Sequence, residues 1–346
     1  MKATVHHEDH DRRVLSMLRR RSLLAASSAF GLWLAGALAG PGNTARAAAG
    51  PAAGKRVAYV AFGLQFEYQV ALVNDIRNAA KQQALSLSIV DGKGDPNTQT
   101  TEMLDAVSKR PDGILVDPVD AKLLIGGIED ANRAKIPVFV LENAPPQGSY
   151  EAFVTFGDEK GGRMGADALA KLIGGKGYVL ECRGAIGSTQ ADLRYKGFHE
   201  EVASKYPGMT IDTLKCQWVA DKAYTLVLDA FTRHPQVAAI WSHNDEMVRG
   251  VVAALRQIGR LHPAGSAGHV PIVGLDGTPL ALTRIRQGIE DVSIGQNPSG
   301  MGSDMVNAIV AFYAKQPYER SQLIEPIVIT KANVDDPALW GNQVKH

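Results

Sequence analysis

Short apolar runs that lack polar alternation recur along this chain, and they limit its fold more than any other feature. Val57-Ala58-Tyr59-Val60-Ala61, Gly113-Ile114-Leu115-Val116, Pro137-Val138-Phe139-Val140-Leu141, Val237-Ala238-Ala239-Ile240 and Pro271-Ile272-Val273-Gly274-Leu275 are of this kind, and Leu87-Ser88-Ile89-Val90 and Tyr178-Val179-Leu180 are shorter relatives. A strand with one wet face alternates apolar and polar side chains, so a strand that does not alternate is covered on both faces. Between the runs lie stretches with apolar residues every three or four positions, such as Val70, Val73, Ile76, Ala80 and Met247, Val251, Leu255, Ile258. These are helices with one buried stripe. Covered strands alternating with amphipathic helices form parallel β-α-β units. The elements are too numerous for one small sheet, so the expected fold class is α/β, with two doubly wound parallel-sheet lobes.

Residues 1–49 stand apart from this pattern and read as an export signal. Arg12, Arg13 and Arg19-Arg20-Arg21 make a basic start, Leu23 to Leu38 is a moderately apolar run, and small residues offer cleavage near Ala47 or Ala49. Arg20-Arg21-Ser22-Leu23-Leu24 resembles the twin-arginine signal; a Sec signal is the other reading, and the choice between them stays open. The first 49 residues hold 7 Lys and Arg and 3 Asp and Glu, leaving 30 basic against 33 acidic residues. That balance excludes a polyanion such as nucleic acid as the expected partner. The residues after the signal sit at the upper edge of what one hydrophobic core serves, which again favours two lobes.

In open parallel sheets, ligands bind outside the carboxyl ends of the strands. Polar and aromatic residues recur there in this chain: Phe62 and Phe66, then Asp117, Glu142-Asn143, Trp218, Asn244-Asp245 and Asp276. Each alone can be read as a helix cap or a core ring, and for Trp218 the two readings weigh evenly. Their recurrence at equivalent places points to one crevice. Asn244 belongs to Trp241-Ser242-His243-Asn244-Asp245-Glu246-Met247, where a buried run gives way abruptly to polar residues. Asp245 and Glu246 suit the start of a helix, whose positive end favours acidic residues.

In this order and spacing, Asn244-Asp245-Glu246-Met247, Val273-Gly274-Leu275-Asp276-Gly277-Thr278-Pro279, Arg194-Tyr195-Lys196-Gly197-Phe198 and Lys135-Ile136-Pro137-Val138 resemble the sugar-binding proteins of bacterial ABC importers, above all the ribose-binding protein group. The resemblance covers residues 55 to 331. It implies a type I periplasmic binding protein: two lobes joined by a three-segment hinge that close on a monosaccharide or related polyol. The implied amino-terminal lobe takes residues 55–157 and 297–325, and the implied carboxy-terminal lobe takes 158–296 and 326–346. The implied partners are a carbohydrate ligand and an importer permease with its ATPase, with membrane contact only through the permease. The protein is expected to be a periplasmic monomer; a sugar receptor for a sensor kinase or chemoreceptor is the alternative.

Carried over by position, the resemblance implies that Tyr68 and Trp218 pack on the sugar from opposite lobes, while Arg194, Asn244, Asp276 and Gln296 contact hydroxyls. Glu142 stands for an aspartate and Asp117 for an asparagine. Phe62 and Phe66 replace small polar residues, Gln69 an aromatic ring and Asn143 an arginine, so a ligand related to ribose is expected rather than ribose itself. The residue types suit a polyhydroxy ligand, since rings cover its C–H faces while carboxylates, amides and a guanidinium take its hydroxyls.

No catalytic residue, metal or cofactor is expected. Leu275-Asp276-Gly277-Thr278 resembles the loop of haloacid dehalogenase-type phosphatases, but Gly274 stands where their nucleophilic aspartate belongs. His199, His234, His243, His262, His269 and His346 show no ligand spacing. For Cys182 and Cys216 two readings stay open, a disulfide or a pair of buried thiols.

Overall fold

The computed structural model describes residues 50–344, so the expected export signal lies outside the described residues. The elements run β1 (Arg56–Ala61), α1 (Glu67–Gln82), β2 (Ser86–Asp91), α2 (Pro96–Ser108), β3 (Gly113–Val116), α3 (Ile125–Arg133), β4 (Val138–Leu141), β5 (Ala152–Phe156), α4 (Asp158–Ile173), β6 (Lys176–Arg183), α5 (Thr189–Lys205), β7 (Gly208–Lys215), α6 (Ala220–Arg233), β8 (Val237–Ser242), α7 (Asp245–Gln257), β9 (Ile272–Asp276), α8 (Pro279–Arg286), β10 (Val292–Gly295), α9 (Pro298–Ala314), β11 (Ser321–Ile324), β12 (Ile327–Thr330) and α10 (Trp340–Gln343). No helix among the described residues is long and apolar enough to cross a membrane.

Two six-stranded sheets result. The first has the order β11-β5-β4-β3-β1-β2 and is parallel throughout. The second has the order β12-β10-β9-β8-β6-β7 and is parallel except for its edge strand β12, which runs antiparallel to β10. The chain passes from one sheet to the other between β5 and β6, through Gly157 and α4. It returns between β10 and α9, which packs on α1, and crosses again between β11 and β12.

The missing alternation in the apolar runs has the expected cause. Along β1, Val57, Tyr59 and Ala61 enter one apolar cluster, while Ala58 and Val60 enter another on the opposite face of the sheet. Successive strand side chains point to opposite faces, so both faces must be apolar when both are covered. The first cluster continues through Phe156 into the second sheet, where it takes in Trp241, Val273 and Leu275. The lobes therefore share apolar packing next to the crossings.

Glycine allows the helices of the second lobe to lie close to one another. A Cβ on Gly162 would collide with the carbonyl of Arg194, and one on Gly197 with the carbonyl of Glu159, so α4 and α5 meet backbone to backbone. That contact fixes the helix that carries Arg194. Two residues of the predicted helical stripes lie elsewhere. Val70 and Ile258 are exposed, because the buried face of α1 is formed by Leu72, Val73, Ile76 and Ala80, and Ile258 already follows the end of α7. Gly259 adopts the left-handed backbone (φ 66°) just beyond that end, as a helix stop requires.

Candidate functional site

The carboxyl ends of both sheets meet around one cavity. From the first lobe come Phe62 after β1, Phe66 at the N-cap of α1, and Tyr68 and Gln69 in its first turn. From the second come Gln190 and Arg194, Trp218 after β7, Asn244 before α7, Asp276 at the end of β9 and Gln296 after β10. Nine of the twelve residues expected from the sequence thus line one cavity.

The other three, Asp117, Glu142 and Asn143, are fully buried behind that lining and hold it in place. Asp117 Oδ2 accepts from Gln69 Nε2 at 2.8 Å. Glu142 accepts from the Tyr68 hydroxyl at 2.6 Å and from Gln190 Nε2 at 2.7 Å. Asn143 donates to the Pro118 carbonyl at 2.7 Å and accepts from the Gln190 backbone at 3.2 Å. Gln190 was not legible as a site residue; its one signal is its place four residues before Arg194, which puts both on one face of α5. It also bridges the two lobes, through Glu142 and Asn143.

The N-termini of the helices shape the lining. Asn244 Oδ1 accepts from Met247 N at 2.9 Å, so this amide caps α7 and keeps only its Nδ2 for other partners. Thr278 Oγ1 caps α8 by accepting from Ala281 N at 3.1 Å, which frees Asp276 from that task. Asp245 does more than begin α7. Its Oδ2 accepts from Gly277 N and Thr278 N, both at 2.9 Å, and Ser293 Oγ donates to its Oδ1 at 3.0 Å, tying the ends of β9 and β10 to the helix start. Gln99 does the same in the first lobe, bonding Ala61 O, Asp117 O and Val119 N.

Three residues here hold backbone conformations that L side chains rarely adopt: Glu142 (φ 59°), Trp218 (φ 68°) and Asp276 (φ 132°). Such conformations cost of order 1–3 kcal/mol each and concentrate at functional sites. Trp218 also depends on Gly184, where any Cβ would collide with the indole ring. The ring lies 5.6 Å from the Arg194 guanidinium carbon, and Phe62 meets Phe66 edge-on at 5.7 Å.

The cavity's electrostatics are acidic. Arg194 Nε binds Asp158 Oδ1 at 2.7 Å, and its Nη1 donates to the His243 carbonyl. Burial, with Asp245 nearby, pushes the Asp276 carboxyl well above the carboxylate range despite Arg194 and a 2.7 Å hydrogen bond from Gln296 Nε2. Burial and the neighbouring Glu142 do the same to Asp117. Glu142 is raised to about 7 by burial and by Asp158, against the hydrogen bonds from Tyr68 and Gln190.

Several buried atoms of this region have no partner: Gln69 Oε1, Asp117 Oδ1, Asp158 Oδ2, Gln296 Oε1 and Trp218 Nε1. Buried polar groups are nearly always paired in folded proteins, since each one left alone costs roughly 1–3 kcal/mol. Their concentration around one cavity is the chemical mark of a site that completes its hydrogen bonds with a polar ligand. No group of three or more His, Cys, Asp or Glu among the described residues is placed to hold a metal ion. Cys182 and Cys216 are both buried free thiols.

Residues 57–317 match the family model of the periplasmic binding protein domain. The ribose import binding protein RbsB of Bacillus subtilis is 28% identical over 233 residues, which span 67% of this chain and 73% of that protein. Among solved structures, an ABC transporter solute-binding protein from Agrobacterium vitis, bound with α-D-tagatopyranose, superposes with a TM-score of 0.76 at 24% identity, covering 83% of this chain and 98% of that one. Another from Bacillus halodurans, with bound myo-inositol, gives a TM-score of 0.73 at 21% identity, covering 83% and 98%. These two share the fold. With the family model matched over most of its length, the chain belongs to the periplasmic binding protein family, in its type I, ribose-binding-protein-like group of ABC importer components.

Proposed function

We propose that this protein captures a monosaccharide or related polyol between its two lobes and delivers it to an ABC importer. The observation that carries the reading is the cavity itself: aromatic rings from both lobes beside buried amide, carboxylate and indole atoms that lack partners. A sugar matches this arrangement, because its C–H faces stack on rings while its hydroxyls both donate and accept. Relatives named for ribose import and structures holding tagatose and myo-inositol support the same ligand class.

In this reading Trp218, Phe62, Phe66 and Tyr68 cover the faces of the ligand. Arg194, Asn244, Asp276, Gln296, Gln69 and Gln190 contact its hydroxyls, and Asp117, Glu142 and Asn143 hold those contacts in position. Residues 55–157 and 297–325 move as one lobe, and 158–296 and 326–346 as the other. Closure is a hinge motion at the three crossings, and the permease reads the closed form. The export signal is removed near Ala47 or Ala49.

The test is a thermal-shift screen of the mature protein against pentoses, hexoses, deoxy sugars and polyols. A ligand that binds only the folded state at a hundred times its Kd stabilises it by about 2.7 kcal/mol, a readily measured rise in melting temperature. A rise with at least one of these compounds is expected. No rise with any carbohydrate, together with a rise for another class of metabolite, would overturn the reading.

A further inference from the structure

The cavity is built to receive donors and positive charge, beyond what a neutral sugar requires. Four buried carboxylates, Asp117, Glu142, Asp158 and Asp276, surround it or lie just behind its lining, against one guanidinium, Arg194. Arg194 is bonded to Asp158. The hydrogen bonds to the other three come from neutral groups: Gln69 to Asp117, Tyr68 and Gln190 to Glu142, and Gln296 to Asp276.

The two glutamines fix the polarity of the remaining surface. Each turns its amide nitrogen onto a carboxylate, so each must turn its amide oxygen away from it. Gln69 from one lobe and Gln296 from the other are 5% and 4% exposed, and the oxygens of both are unpartnered. Both residues line the cavity. With Asp117 Oδ1 and Asp158 Oδ2, they make four fully buried acceptors without partners around this cavity, whereas among the described lining residues Trp218 Nε1 is the one fully buried donor without a partner, beside the Nδ2 of Asn244. A hydroxyl donates once and accepts as well, while an ammonium donates three times and accepts nothing. An isolated buried carboxylate is costly, and a cation placed beside it repays that cost.

We infer that the ligand of this site is a sugar or cyclic polyol bearing a protonated amine, with its ammonium seated among the amide oxygens of Gln69 and Gln296 and the carboxylate of Asp276. The inference rests on the polyol-binding reading above and narrows it. Burial, with a neighbouring carboxylate in each case, raises the Asp117 and Asp276 pKa values, for Asp276 even with Arg194 nearby, and a cation beside either would favour its charged form.

Calorimetric titration with matched pairs tests this at pH 7, where the amines are mostly protonated: myo-inositol against an amino-deoxy-inositol, D-glucose against D-glucosamine, D-galactose against D-galactosamine, and each amine against its N-acetyl form. The expected result is that at least one amine binds ten times more tightly than its hydroxyl counterpart and that N-acetylation removes the gain. In Asp276→Asn the preference within that pair should fall below threefold. The wild-type comparison needs no variant, so misfolding of Asp276→Asn cannot decide the outcome. If a neutral polyol binds as tightly as its amine or more so, the inference fails and the polyol reading stands. If no member of any pair binds, the inference fails, and the polyol reading is decided separately by the wider screen of pentoses, hexoses, deoxy sugars and polyols.

Discussion

Glu181 and Asp276 are both buried carboxylates of the second sheet, and their surroundings could hardly differ more. Glu181 Oε1 meets His243 Nε2 at 2.9 Å, and its Oε2 meets His199 Nε2 at 2.8 Å and the Thr213 hydroxyl at 2.6 Å. Burial alone would raise its pKa, yet the two histidines outweigh burial and bring it down to about 2. Asp276 faces the cavity with one side-chain donor, Gln296, and its carboxyl is pushed up instead. A cluster completed within the protein serves stability. One that needs an outside group to complete it serves binding, and this contrast separates structural from functional polar residues within a single sheet.

The sharpest way to break the contrast is Glu181→Ala. Removing one partner of a buried charged network typically costs about 3–5 kcal/mol, and denaturant unfolding should show a loss of that size. Ligand affinity of the folded variant should stay within threefold of wild type. A stable variant with lost affinity would merge the two clusters into one.

Acidity separates them next, with opposite signs. The Glu181 pKa is lower in the folded protein, so its contribution is present above about 4.5 and fades as the pH falls toward 2. The Glu142 pKa is higher in the folded protein, at about 7, so the native state binds more protons between about 4.5 and 7 and stability declines as the pH rises through that window. Glu290, raised by burial to about 8 despite Arg284, extends the decline. Ligand-free protein should therefore unfold at a higher temperature at pH 5 than at pH 8, at about 1.4 kcal/mol for each unit of displacement titrated in that range, several kcal/mol in all. Calorimetric melting of Glu142→Gln should show a flatter profile, and an unchanged slope would remove Glu142 from the account.

The smallest expected effect is at Gln190, which bonds Glu142 and Asn143 across the lobes. Gln190→Ala should weaken ligand binding three- to tenfold, about 0.7–1.4 kcal/mol, chiefly through faster dissociation in stopped-flow measurements. Unchanged kinetics would show that the bridge does not help hold the closed form.

Much of the fold was legible because strands buried on both faces cannot hide their composition: the runs that open at Val57, Gly113, Val237 and Ile272 all lie in strands. The edge strands β11 and β12 escaped notice, since Gln322, Leu323, Ile327 and Val328 are exposed or half-exposed and carry no such run. Polar residues at strand ends marked the cavity for the same reason. Gln190 lies inside a helix, away from any strand end, and was missed. Spacing also could not tell lining from support: Asp117 and Glu142 lie behind because Gln69 and Tyr68 reach over them from α1. Only the packing of that helix decides it. Within Trp241 to Met247 the same limit applies, for His243 belongs to the Glu181 cluster, Asn244 to the cavity and Asp245 to the loop between β9 and α8.

The most direct test is a calorimetric titration of the tightest ligand from the screen into wild-type protein and Asp276→Ala, with unfolding followed in parallel. One ligand per chain, an affinity at least tenfold weaker in the variant and a melting temperature no lower than wild type are predicted. Equal affinities in the two folded proteins would contradict the account, because the open carboxylate of the cavity would then have no part in binding.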